Sequence, residues 1–343
     1  MKKALSLILA LCVVLSALSL TAAAAEKDRA ATDAFYAKKL AYDVDGDGAV
    51  SLDDVRLVLC TAAGVIEADE ESTADVDGDG AATTLDALAV LRMECGIDPF
   101  YTEEDVVNYL ASELNWVKSA RPGFTRKTEE KCTSLKVTAS GAPALIGSFN
   151  ATDMEYKDYL AKNKTLFKLI LSDEEYNEIM AQAEAVYEPK VAEKTVAKGS
   201  SHITFFPVNG KGYACKFGSD NELTEYKSIT FKENSTGTAT ITLTMKDYTY
   251  PDGSYPYKNL ASIPYGQAFN LPALKDVENM NLKSGKIVCV IDTKTGGINT
   301  VDYSYTYVAT VSAGDSIEGY DFDMTEKMTV KYTEHYDINP VTE

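Results

Sequence analysis

The sequence of 343 residues predicts an α+β protein in two parts. A small all-α unit of two repeats is followed by a larger domain, in which N-terminal helices give way to a mainly antiparallel β-sheet. Three observations predict this. The string DVDGDGA occurs at Asp43–Ala49 and again at Asp75–Ala81, 32 residues later, each copy running into an apolar helical stretch. After Pro99, apolar residues recur at helical spacing. From about His202 the apolar period falls to two, the signature of strands.

Met1–Ala25 reads as a secretory signal peptide: Lys2 and Lys3, an apolar run to about Leu20, then TAAAA. Residues 26–40 form a leader segment. After cleavage no segment reaches the roughly 18 apolar residues of a membrane span. The net charge is −19 and cleavage makes it more negative, which argues against nucleic acid and anionic membrane as partners.

Residues 41–99 hold the repeats. A loop with carboxylates at alternate positions and a glycine sixth can wrap one Ca2+, as EF-hand loops do. In the first loop the ligands at positions 1, 3 and 5 are Asp43, Asp45 and Asp47. Ala49 offers a carbonyl at position 7, Ser51 a direct or water-mediated contact at 9, and Asp54 a carboxylate at 12. The second loop repeats this order with Asp75, Asp77, Asp79, Ala81, Thr83 and Asp86. Two Ca2+ ions are therefore expected. The usual twelfth residue is Glu, long enough to bind bidentately; Asp in both loops should weaken binding or shift the Ca2+/Mg2+ balance.

Val55, Leu57, Val58, Leu59 and Ala62 make an exit helix stopped by Gly64; Ala87, Leu88, Val90, Leu91 and Met93 make another, stopped by Gly96. The helices that would precede the loops read as poor or missing. From Ala41 to Phe100 there are fifteen Asp/Glu against two Arg, so cation binding should be coupled to folding.

DVDGDGAVSLDDVRLVLCTAAG and DVDGDGAATTLDALAVLRMECG together resemble type I dockerin modules. The resemblance covers about Tyr42 to Pro99. It implies two bound Ca2+ and docking onto a cohesin domain of a scaffold, as in a cellulosome, or onto another surface protein. The family's partner-facing positions fall on Leu52 and Asp53 in one repeat and Thr84 and Leu85 in the other, with Arg56 and Arg92 on the exit helices.

Residues 100–343 form the larger domain. Val106, Val107, Leu110, Leu114 and Val117 predict a helix after Thr102, ending near Pro122. Ser172 with Glu175 caps another, through Tyr176, Ile179, Met180 and Ala183, and a short one falls around Asp153–Lys162. Ala239, Ile241, Leu243 and Met245 alternate with threonines. Val301, Tyr303, Tyr305, Tyr307 and Ala309 do the same, as do Met328, Val330 and Tyr332. Lys286–Ile291 reads as a central strand, joined by TKTGGIN in a hairpin to the tyrosine-rich strand. A sheet with helices on one face fits. VKSARPGF (Val117–Phe124) and IPYGQAFNLP (Ile263–Pro272) resemble segments of secreted domains from Gram-positive anaerobes, which implies a fold but no activity.

Five cysteines remain after cleavage: Cys60, Cys95, Cys132, Cys215 and Cys289. None has CxxC spacing. Cys60 and Cys95 either pair or are small buried hydrophobes. His202 or His335 with Cys215 or Cys289 gives a nucleophilic site only on paper. Tyr303, Tyr305 and Tyr307 read as a stripe buried under helices. Tyr248, Tyr250, Tyr255, Tyr257 and Tyr265 crowd a loop, where a glycan platform competes with self-packing. The reading is a secreted, non-catalytic assembly protein with a C-terminal binding domain. The competing reading is a polysaccharide-degrading enzyme, a glycoside hydrolase carrying the module as a tag.

Overall fold

The computed structural model describes residues 30–66, 74–140, 151–200, 223, 226–250, 279–317 and 320–338. The segments 1–25, His202, Cys215, Tyr255, Tyr257, Tyr265 and Ile263–Pro272 lie outside them. The chain divides into two compact units: residues 1–102 with Trp116–Ala120, and Glu103–Asn115 with 121–343.

The first unit contains α1 (Ala30–Leu40), α2 (Leu52–Ala62) and α3 (Thr84–Glu94). Helix α1 corrects the sequence reading, which left residues 26–40 without an element. Its sequence AATDAFYAKKL lacks a broad apolar face, so periodicity does not reveal it. It buries Thr32 and Phe35, and Phe35 stacks on Tyr101 with centroids 4.0 Å apart. The first repeat is therefore helix–loop–helix. The core between the repeats is small: Val50, Val58, Ala74, Ala87 and Val90, with Tyr42, Val44, Val55, Val76, Ala82 and Phe100 packed against them. Val58 and Val90 are equivalent in the two repeats, as are Val44 and Val76, so the core repeats the sequence duplication. Phe100 meets Tyr42 edge-on at 6.1 Å, joining the end of the module to its start.

Among the described residues the second unit holds one nine-stranded sheet with helices, and every strand pair in it is antiparallel. The strands are β1 (Phe124–Ser140), β2 (Ala151–Glu155), β3 (Lys190–Val196), β4 (Tyr226–Asn234), β5 (Thr238–Met245), β6 (Tyr248–Tyr250), β7 (Asn279–Asp292), β8 (Ile298–Ile317) and β9 (Tyr320–Ile338). The helices are α4 (Glu103–Ala120), of which Trp116–Ala120 belong to the first unit, α5 (Tyr156–Lys162), α6 (Lys164–Ile170) and α7 (Asp173–Ala185). The order is β2-β1-β9-β8-β7-β5-β4, with β3 beside β1 and β6 beside β7. Thus β1 pairs with the last strand along nearly its whole length.

The expectation that strands begin near His202 fails at β1, β2 and β3. The cause lies in β1. Its covered face carries Arg126, Thr128 and Glu130 among Phe124 and Cys132, which blurs the apolar alternation. A bulge between Cys132 and Ser134 then shifts the phase, so Leu135, Val137 and Ala139 continue the same face with the opposite parity. Glu155 pins the bulge: it accepts from Ser134 Oγ at 2.6 Å, Leu135 N–H at 3.2 Å and Tyr187 OH at 2.6 Å.

Elsewhere the alternation holds. Ala239, Ile241, Leu243 and Met245 are buried, as are Val301, Tyr303, Tyr305, Tyr307 and Ala309. The tyrosine stripe is core. Gly296, with φ 68°, turns β7 into β8. Helix α4 buries Val106, Val107, Leu110 and Leu114, and its Glu113 lies near enough to Cys289 to act on it electrostatically. A second cluster packs α5, α6 and α7 on Val137, Ala139 and Met324, on the same sheet face. Helix α7 starts at a capping box between Ser172 and Glu175, as the spacing predicts.

Candidate metal centre

Both loops close by the same local logic. Ser51 and Thr83, at position 9, are the N-caps of α2 and α3; their hydroxyls accept the N–H of Asp53 at 3.0 Å and Leu85 at 3.1 Å. The twelfth residue returns the bond. Asp54 Oδ2 accepts Ser51 N–H, and Asp86 Oδ2 accepts Thr83 N–H, each at 2.7 Å. The other oxygen reaches back to the loop's start. Asp54 Oδ1 accepts from Val44 at 2.7 Å and Asp45 at 3.1 Å; Asp86 Oδ1 accepts from Val76 at 3.0 Å and Asp77 at 3.1 Å. Both aspartates are buried. The twelfth position therefore ties the first turn of each loop to its last. This role was missed in the sequence, although Ser-x-x-Asp and Thr-x-x-Asp are capping-box spacings.

The sixth residue turns the chain. Gly48 has φ 91° and Gly80 φ 97°, conformations open to glycine at little cost. Their N–H groups donate to Asp43 Oδ2 and Asp75 Oδ2, both at 2.8 Å.

The result is two carboxylate trios. Asp43, Asp45 and Asp54 each bring one oxygen within 4.8 Å of the others, and Asp75, Asp77 and Asp86 do the same. These are positions 1, 3 and 12. Asp47 and Asp79 fall outside the trios; they accept the N–H of Ala49 at 2.8 Å and Ala81 at 3.0 Å. The hydroxyls of Ser51 and Thr83 serve the caps. Ala49 and Ala81 are exposed at the seventh position.

The trios fit a hard cation. Asp43 is 8% exposed and its Oδ1 is buried with no hydrogen-bond donor, so within the protein nothing offsets its lost hydration. Oxygen-only donors at this spacing suit Ca2+ or Mg2+. The residues that would hold the ion are Asp43, Asp45 and Asp54 in one loop and Asp75, Asp77 and Asp86 in the other. A bound divalent ion supplies charge neutralisation and a fixed centre for the loop. The Asp47 N–H pulls the Asp45 carboxyl down, but desolvation and the charges of Asp54, Asp47 and Asp43 together raise it. Desolvation pushes Asp86 up, and the hydrogen bonds from Thr83, Asp77 and Val76 outweigh it, so its carboxyl sits low.

The exit helices present apolar side chains outward. Leu52 is 63% and Leu85 62% exposed, and Leu59 and Leu88 are exposed beside them. Asp53, Arg56 and Thr84 are exposed too. Arg56 lies 3.9 Å from Asp53. Arg92 instead grips Asp98 with two bonds of 2.6 and 2.9 Å, fastening the turn after α3. Cys60 and Cys95 are free thiols; Cys60 is half-buried and Cys95 exposed, so neither is core.

The larger unit brings together a different group. Buried Glu334 accepts from Arg126 Nε, from Tyr332 OH at 3.2 Å and from Tyr336 OH at 2.5 Å. Its oxygens are held by these three donors. His335 Nδ1 lies 2.7 Å from Asp302 Oδ1 on the open sheet face. Cys289 is fully buried on the opposite face, and burial pushes its thiol well above the ordinary range, with Glu113 and Asp302 adding to the shift. The two faces separate Cys289 from that histidine. Among the described residues no helix is long and apolar enough to cross a membrane.

Fold and site thus define a tandem loop–helix module with two acidic cation cradles. Residues 41–93 match the model of the family described as the dockerin type I domain, in agreement with the resemblance read from DVDGDGA and its surroundings. No curated protein and no solved structure matches the chain.

Proposed function

We propose that this chain is a secreted, non-catalytic assembly component. Its module binds two Ca2+, one per loop, and docks onto a cohesin-bearing scaffold or surface partner, while residues 100–343 act as a binding domain. The dockerin match over residues 41–93, lying on both carboxylate trios, carries this reading. Docking is further supported by the outward Leu52, Leu59, Leu85 and Leu88. Exposed leucines on two short helices offer apolar surface that a partner could bury. The ions would act by fixing the loops and hence the presentation of these side chains.

The test uses the full chain on immobilised cohesins of several types, with Ca2+ and with EDTA. Retention in Ca2+ that is abolished by EDTA is expected. Failure to bind any cohesin in Ca2+ would overturn docking. In parallel, a glycan array and a hydrolase panel are run on the same chain. Saturable glycan binding without release of reducing ends is expected; turnover would make the larger domain an enzyme.

A further inference from the structure

We infer that the two loops are unequal, and that the Asp43 loop takes its cation first and more tightly than the Asp75 loop. This deepens the two-ion reading above and rests on it. The sequences of the loops differ only at positions 8 to 11, so near-equal sites would be expected from the ligands alone. The first aspartate of each loop distinguishes them.

In the first loop, Asp43 divides its oxygens. Oδ2 accepts the Gly48 N–H at 2.8 Å. Oδ1 is buried and has no hydrogen-bond donor, and one carboxylate oxygen of Asp43 lies within 4.8 Å of oxygens of Asp45 and Asp54. In the second loop, Asp75 Oδ2 likewise accepts from Gly80 at 2.8 Å. Its Oδ1, however, already accepts the N–H of Gly78 at 2.8 Å and of Asp79 at 3.1 Å. Asp75 is also less buried than Asp43.

These differences act in one direction. A buried oxygen without a donor leaves a folded loop under a penalty that a cation relieves, so ion binding there recovers energy. An oxygen already holding two amide protons gains less, because its field is partly neutralised before the ion arrives. The partly exposed Asp75 also keeps more of its hydration, which the ion must displace. The Asp43 loop is preformed for the cation, and the Asp75 loop is preformed around its own backbone. A difference of roughly tenfold in affinity is expected from a penalty of this kind.

The experiment is a calcium chloride titration of chelator-treated full chain, followed by calorimetry and by the amide resonances of Gly48 and Gly80. Two unequal steps are expected, with the Gly48 signal saturating first. Asp75→Ala should remove the weaker step and keep the tighter one; Asp43→Ala should do the reverse. The resonances come from the unmodified chain, so the inference stays testable where a variant fails to fold. Two indistinguishable steps, or Gly80 saturating first, would overturn the inequality while leaving two calcium sites standing. No heat and no resonance change would overturn the calcium reading itself.

Discussion

Asp54 and Asp86, the twelfth residues of the loops, commit both carboxylate oxygens to backbone N–H groups. Asp54→Ala should leave three amides without acceptors and destabilise the module by roughly 1–3 kcal/mol. The exposed Asp47→Ala should cost far less; thermal unfolding of the first unit checks the contrast. In the larger unit two glutamates make opposite predictions. Desolvation pushes the Glu155 carboxyl up, but bonds from Ser134, Tyr187 and Leu135 outweigh it and hold it low. A depressed carboxyl contributes stability that is present above the ordinary carboxylate range, about pH 4.3, and is lost as pH falls through the folded value. Burial raises the Glu326 carboxyl. Its contribution is present at acid pH and lost as pH rises, so its charge is a cost at neutrality. Melting temperatures should therefore fall for Glu155→Gln and rise for Glu326→Gln at pH 7, both differences closing toward pH 3. The gathering of the carboxylates at positions 1, 3 and 12 was legible from the Asp spacing, whereas Asp47 and Asp79 at position 5 stand outside the trios. The caps were signalled by the Ser-x-x-Asp and Thr-x-x-Asp spacings, but the orphaned Asp43 oxygen was not, because it depends on side-chain rotation rather than residue type.

Strands announce themselves when one face is wholly apolar, as in β5 and β8, and hide when it is not. Strand β1 places Arg126 on the covered face because Glu334 waits there on β9, 208 residues away. The pair is visible only once the two strands are adjacent. Removing the guanidinium alone leaves a buried carboxylate, so Arg126→Leu should cost about 3–5 kcal/mol, and Arg126→Leu with Glu334→Leu should recover part of it. Denaturant unfolding of the four members of this cycle measures the coupling. Recovery is expected to be partial, since Tyr332 and Tyr336 lose their acceptor. Helix α1 hid for a similar reason. Its buried ring, Phe35, finds its partner at Tyr101, beyond both loops.

At the scale of the whole molecule, an acidic chain carries its most concentrated acid where cations would neutralise it. The apolar core between the repeats is small, a handful of valines and alanines with two aromatic rings. Without ions it stands against the repulsion of two carboxylate trios. Replacing Asp43 and Asp75 together with alanine should make residues 41–99 protease-sensitive in excess Ca2+ while the nine-stranded sheet stays resistant, a result that limited proteolysis reads directly. Unchanged resistance of residues 41–99 would mean that the core alone holds the module. Native mass spectrometry of the calcium-equilibrated chain counts the bound ions directly. Two Ca2+ per chain are expected, both lost on chelation, and one in each single variant. A chain that carries none, or that keeps both after Asp43→Ala and Asp75→Ala, would contradict the two-ion reading.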